Sequence, residues 1–163
     1  MSCVACAVQG AKDQHHNTGV VAVVLPHPQH SISQRVHQAH TTLVYAGDYE
    51  DVPDEFRAGI HDTVRLLSRT VPPFDAHVTG YDSFDNGSQP VVLLASPLLQ
   101  FMRSHLEKYN GSEHKTYRPH LSIPEMPYPG SFLTPTIPFD RIGMWAGEHR
   151  YLYHLGSGRP AAI

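Results

Sequence analysis

The chain has 163 residues and a net charge of −3 with histidine neutral, 40% apolar residues and 17% charged residues. That length suits one domain able to bury a core, and the lack of any block of like charge excludes a polyelectrolyte tail or long disorder. A mildly acidic balance argues against a sequence-blind grip on duplex DNA, which needs many phosphate contacts, whereas a small anionic ligand needs only a local positive spot.

In chain order, residues 1–17 read as an N-terminal tail. Cys3 and Cys6 have a C-x-x-C spacing, but a structural zinc would need two further ligands, and the His15-His16 pair lacks a finger arrangement. No metal site is therefore expected. Gly19–Leu25 (GVVAVVL), closed by Pro26, reads as a buried strand. A short helix is expected within 31–38, with serine as its cap. His40–Tyr45 (HTTLVY) is β-prone, and period 2 places His40, Thr42 and Val44 on one face and Thr41, Leu43 and Tyr45 on the other.

Pro53–Thr70 carries Phe56, Ile60, Val64 and Leu67 at helical spacing. Phe74–Phe84 alternates as a strand, and Asp85-Asn86-Gly87 supplies a turn before the strand Pro90–Ala95. Ser96-Pro97 opens a second helix with the stripe Leu98, Met102, Leu106 and Tyr109, ended by Asn110-Gly111. Arg118–Ile123 (RPHLSI) is β-prone, the proline-rich stretch to Pro138 reads as irregular, and final strands are expected over Phe139–Trp145 and His149–Leu155. The C-terminal 156–163 is expected to fray. The fold class is α+β, with the domain spanning 18–155.

Thirteen histidines nearly equal the fifteen acids, so charge depends strongly on pH around 6. A His-x-Thr or His-x-Ser strand projects an imidazole and a hydroxyl from one face, where both can reach one phosphate. The pattern begins at His16, His40, His61, His77, His114 and His120. Requiring a strand followed by an aliphatic residue leaves His40-Thr41-Thr42-Leu43 and His120-Leu121-Ser122-Ile123, 80 residues apart. His77 and Thr79 are more simply solvent-facing. Two such copies, each beside a helix in its own half, imply two similar lobes facing one cleft.

With these tetrapeptides and their separation, Gly19–Leu155 resembles the two-histidine (2H) phosphoesterase superfamily, which includes RNA-ligase-like cyclic phosphodiesterases. The segment Thr18–Tyr45 is similar to phage enzymes that cleave cyclic oligonucleotide immune signals. The resemblance implies two pseudo-symmetric lobes, each a small, mainly antiparallel sheet with helices outside, around a central cleft. It also implies a metal-independent phosphodiesterase without a cofactor. Serine stands in the second motif where threonine is common, which retains the hydroxyl donor.

The chemistry agrees, since cleavage needs a base for the attacking oxygen and an acid for the leaving oxygen, and histidine serves both near neutral pH. Thr42 and Ser122 would donate to non-bridging phosphate oxygens. Tyr117 and Arg118, with Lys115, precede the second motif and could hold a second phosphate or a base. Tyr45 and Trp145, the only tryptophan, could stack on a nucleobase.

The expected partner is a small nucleotide, cyclic or a cyclic oligonucleotide. RNA ends are an alternative; a membrane or duplex DNA is not expected. A 2′,3′-cyclic phosphodiesterase or 2′-5′ ligase-like enzyme, a non-catalytic nucleotide sponge and a histidine-rich metal binder are the competing readings. No apolar run approaches the roughly 20 residues of a membrane span, and no signal-peptide pattern opens the chain, so a cytoplasmic protein is expected.

Overall fold

A computed structural model describes residues 18–84, 89–113, 116–123 and 135–163. Among these residues, seven strands form one antiparallel sheet: β1 (Gly19–Pro26), β2 (Thr41–Asp48), β3 (Phe74–Phe84), β4 (Gln89–Ala95), β5 (His120–Ser122), β6 (Thr136–Ala146) and β7 (His149–His154). Their order is β2-β1-β6-β3-β4-β5, with β7 also on β6. The α-helices α1 (Ser31–Arg35), α2 (Asp54–Thr70) and α3 (Pro97–Leu106) accompany the sheet in an α+β fold. The two lobes are halves of one continuous sheet, joined where Thr136–Phe139 of β6 pairs with Phe74–His77 of β3.

The helices form where apolar spacing and capping coincide. In α2, Ile60, Val64 and Leu67 are buried, while Phe56 stays 42% exposed and meets the Tyr109 ring edge-on. Ser96 Oγ caps α3 by accepting from the Leu98 N–H. In α1 the cap is His30, whose Nδ1 accepts from the Ile32 N–H, so the expected serine cap is replaced by its neighbour.

One core cluster spans both halves of the sheet. It joins Val20, Ala22, Val24, Leu43 and Val44 to Ile60, Val64, Leu99, Met102, Leu106, Val92, Leu94 and Leu121. A smaller cluster of Val21, Val23 and Trp145, flanked by Leu25 and Tyr45, occupies the opposite face.

Strict alternation on β2 fails at a bulge. Val44 lies opposite Ala22 and Thr42 opposite Val23, so Leu43 is the extra residue, buried in the main core beside Val44. Thr42 and Tyr45 therefore share the face turned away from the helices, and Val44 turns inward. Thr136–Pro138 are strand residues, and residues 124–134 of the expected irregular stretch lie outside the described residues, as do 1–17, Cys3 and Cys6. The C-terminal segment, expected to fray, is tied to β7 as far as Ala161. Ala161 N–H donates to Leu152 O, His154 N–H donates to Arg159 O, and Pro160 bridges Tyr153.

β2 and β5 end the strand order, yet they meet. The edge carbonyls of β2 are satisfied from the other half of the chain. Tyr117 Oη donates to Thr42 O (2.9 Å), Arg103 Nη1 to Leu43 O (2.7 Å) and Gly111 N–H to Tyr45 O (2.9 Å). Gly111 lies so close that a Cβ there would sit 2.1 Å from Ala46 O, a separation that only glycine permits. Arg103 is 8% exposed, pairs with Glu107 and stacks on the Tyr117 ring, its Cζ 4.8 Å from the centroid.

Arg103→Met should lower unfolding free energy by about 2 kcal/mol, the scale of a lost charged hydrogen bond to a buried carbonyl. Glu107→Gln, at a half-exposed partner, should change it by less than about 1 kcal/mol. Urea denaturation of both variants measures the difference.

Candidate active site

His40 immediately precedes β2 and Thr42 lies at its start, while His120 and Ser122 belong to β5. Leu121 enters the main core, so its neighbours His120 and Ser122 point to the opposite face, opposite Leu93 and Val91 of β4. Both motifs thus occupy the face turned away from the helices. The histidines are near enough for the charge of His120 to disfavour protonation of His40.

The two imidazoles are held alike. His40 Nδ1 lies 2.8 Å from Gln38 O, and His120 Nδ1 lies 2.8 Å from Arg118 O. A carbonyl can only accept, so each Nδ1 carries the proton, and each neutral ring keeps Nε2 as its basic nitrogen. Gln38 provides its carbonyl from a left-handed conformation, φ 53°, unusual for a residue with a Cβ.

Burial pushes the His40 imidazole down to about 4 from its usual 6.5, against the opposing effect of its carbonyl bond, and the charges of His120 and Arg150 push the same way. Burial also lowers His120, with Arg118 adding to the effect.

Two residues absent from the motifs complete each half. Trp145 packs edge-on to His40, centroids 4.6 Å apart, and Arg150 Cζ lies 5.1 Å from the Trp145 ring centroid. The register explains the grouping, for Tyr45, Val21, Trp145 and Arg150 form one row across β2, β1, β6 and β7. Phe84 stands edge-on to His120 at 4.7 Å, and Arg118 Cζ lies 5.4 Å from the Phe84 centroid. Gln89, opposite Phe84 on the hairpin, donates from Nε2 to Ser122 Oγ at 2.6 Å. That bond occupies an acceptor site of the serine and leaves its proton to be donated elsewhere.

The expected binding residues fare differently. Arg118 stays at the surface, 52% exposed, and donates to Asp82 Oδ2 at 3.0 Å. Tyr117 ties β2 to the other half, with its hydroxyl committed to Thr42 O and its acidity weakened by burial. Trp145 is 5% exposed and supports His40, so it offers no open stacking face. Tyr45 donates to Asp48 Oδ1 at 2.9 Å and, half-buried, has its phenol raised to about 12 by burial and that carboxylate.

The other pattern matches separate from the site. His61 lies in α2, its ring against Tyr151, and His77 is exposed on β3. His16, His114 and Lys115 lie outside the described residues. A surface cavity of about 470 Å³ opens elsewhere, beside Asp48, Glu50, Asp51 and Glu148, where the acidic lining repels phosphate. Among the described residues, no group of three or more His, Cys, Asp or Glu is arranged to hold a metal ion. No helix among them is long and apolar enough to cross a membrane.

The sequence profile described as 2′-5′ RNA ligase superfamily matches residues 16–126, and the chain belongs to this superfamily of two-histidine phosphoesterases. The fold is similar to that of TT0787 from Thermus thermophilus, with 16% identity, TM-score 0.56, and 88% of this chain and 93% of that one covered. It is similar also to Usb1 from Kluyveromyces marxianus, with 11% identity, TM-score 0.56, and 85% and 98% covered. E. coli LigT, solved with 3′-AMP, aligns at 13% identity and TM-score 0.48 over 88% and 92% of the two chains. No curated protein matches the sequence.

Gln89→Leu should lower kcat on the order of tenfold with little change in KM, less than the 10²–10³ lost when an oxyanion donor is removed outright. Gln89→Glu should cost more, because a carboxylate would accept the Ser122 proton. Steady-state kinetics of both variants beside Ser122→Ala measure the order of these losses.

Proposed function

We propose that the chain is a metal-independent phosphodiesterase acting on cyclic nucleotides or cyclic oligonucleotides, with His40 as base and His120 as acid. The observation that carries the reading is the matched pair of imidazoles, each with Nδ1–H on the carbonyl two residues earlier and Nε2 left for proton transfer. Superfamily membership supports a phosphoesterase, and the resemblance of Thr18–Tyr45, as sequence, to phage enzymes that degrade cyclic oligonucleotide signals is the reason for preferring that substrate class.

In the forward step, His40 Nε2 takes the proton of the attacking water as its oxygen bonds to phosphorus. His120, protonated at Nε2, gives its proton to the leaving oxygen as the P–O bond breaks. Thr42 and Ser122 donate to the non-bridging oxygens as their charge builds. His40 suits the base because its proton affinity is held lower. The bound phosphate anion supplies the charge that brings His120 to its protonated form.

The protein, with EDTA present, should cleave one or more of a panel of cyclic mono-, di- and trinucleotides and an RNA oligonucleotide ending in a 2′,3′-cyclic phosphate. His40→Ala and His120→Ala should each lose more than 10² in kcat. Cleavage confined to the RNA end would assign end processing instead. Retained cleavage in either variant would remove the proposed mechanism.

The pH profile has a definite sign. The base works above its pKa and the acid below its own, and both lie below 6.5 in the free protein. The bell of kcat/KM should therefore peak on the acidic side of 6.5, and that of kcat at higher pH, since bound phosphate raises both groups. Stability follows from the same shift. The unfolded chain binds a proton at His40 near 6.5 and the folded chain near 4, so stability falls as pH drops between them. Urea midpoints from pH 7 to 4.5 should fall less steeply in His40→Asn.

A further inference from the structure

The two halves of the site repeat more than the motif. His40 is backed by Trp145, over which Arg150 lies, and His120 is backed by Phe84, over which Arg118 lies. The ring contacts are 4.6 and 4.7 Å, and the guanidinium contacts 5.1 and 5.4 Å. Local sequence does not create this match. Trp145 and Arg150 come from β6 and β7, whereas Phe84 and Arg118 come from β3 and the segment before β5. The histidine pair thus has a guanidinium on each side, one aromatic ring away.

We propose that the two guanidinium–aromatic platforms are flanking phosphate subsites, and that the preferred substrate is a short oligonucleotide whose scissile phosphate carries a further phosphodiester on each side. The proposal rests on the catalytic reading above for the position of the scissile phosphate.

Each arginine disfavours the protonated form of its own histidine. A site that needs one imidazolium during turnover is hindered by two nearby cations unless the substrate compensates them. A phosphate against each guanidinium does so, and it restores proton affinity to the adjacent imidazole as the substrate seats. A guanidinium can present paired N–H donors to phosphate oxygens, a geometry that an ammonium lacks.

The two subsites differ in strength. Arg150 is half-buried, and its Nη1 donates to the carbonyls of Gly147 and His149, which fixes the head group. Arg118 is exposed and shares its charge with Asp82. Phosphate at Arg118 must compete with that carboxylate and is better screened by salt, so the Arg150 subsite contributes more. A nucleoside with one cyclic phosphate would leave both subsites empty.

The test measures binding and cleavage of three probes: tetrauridylate, a cyclic trinucleotide and uridine 2′,3′-cyclic phosphate. It compares wild type with Arg150→Gln, Arg118→Gln and the double variant, each checked for folding by circular dichroism, with Arg150→Lys as a charge-retaining control. Wild type should prefer the two oligonucleotides. Each Arg→Gln change should lower the slope of log affinity against log salt by about 0.7 for tetrauridylate. It should also cut kcat/KM on the oligonucleotides by roughly tenfold more than on the one-phosphate probe, with Arg150 the larger effect.

Replacing a flanking phosphate with a neutral methylphosphonate should cause the same loss in wild type and little further loss in the matching variant. Equal losses on all probes with unchanged salt slopes would overturn the proposal and leave the arginines acting only on the histidines. If wild type cleaves none of the probes, the catalytic reading fails, and the salt slopes of binding still decide the subsites. A preference for the cyclic trinucleotide over tetrauridylate, or the reverse, identifies the source of the flanking phosphates.

Discussion

The unpaired edge of β2 is the constraint on which the candidate active site depends. A sheet edge presents carbonyls that must find donors, and here three donors come from the second half of the chain. Tyr117, Arg103 and Gly111 reach Thr42, Leu43 and Tyr45, the carbonyls that run through and just past the first motif. The strand order puts β2 and β5 at opposite ends of the sheet, and these bonds bring the ends together. The separation of the two histidines thereby depends on these hydrogen bonds, which tolerate little displacement.

With the ends held together, the electrostatics follow from position. Each histidine is fixed through Nδ1 by a carbonyl two residues earlier, packed against an aromatic edge and placed near a guanidinium. Removing water from such a site strengthens every charge interaction within it, so the free protein holds both rings neutral and a phosphate anion can reverse that for one of them. The cost appears as strain at Gln38, whose left-handed backbone presents the carbonyl that orients His40.

Much of this was legible in the sequence, for local reasons. The spacing of Ile60, Val64 and Leu67 and the Ser96-Pro97 start define α2 and α3, because capping and apolar periodicity act within a few residues. The two His-x-hydroxyl segments were readable because a strand of period 2 puts both groups on one face. The bulge at Leu43 was not, since it arises from pairing with β1, and without it Tyr45 would face the core side.

Arg150, Phe84 and Gln89 carry no motif at all. They reach the site through strand register, a long-range property that one sequence does not display. The chemistry of Tyr117 and Trp145 suggests contact with a substrate, whereas the fold places them against Thr42 O and the His40 ring.

The central claim is that His40 and His120 belong to one cleft and sense each other's charge. Titrating the imidazoles by ¹⁵N and ¹H NMR in wild type and in His120→Gln tests it most directly. The account predicts Nδ1–H tautomers for both neutral rings, a His40 transition far below 6.5 in wild type, and an upward movement of that transition when His120 is replaced. A His40 that titrates at its ordinary value, or is unmoved by the loss of His120, would contradict it.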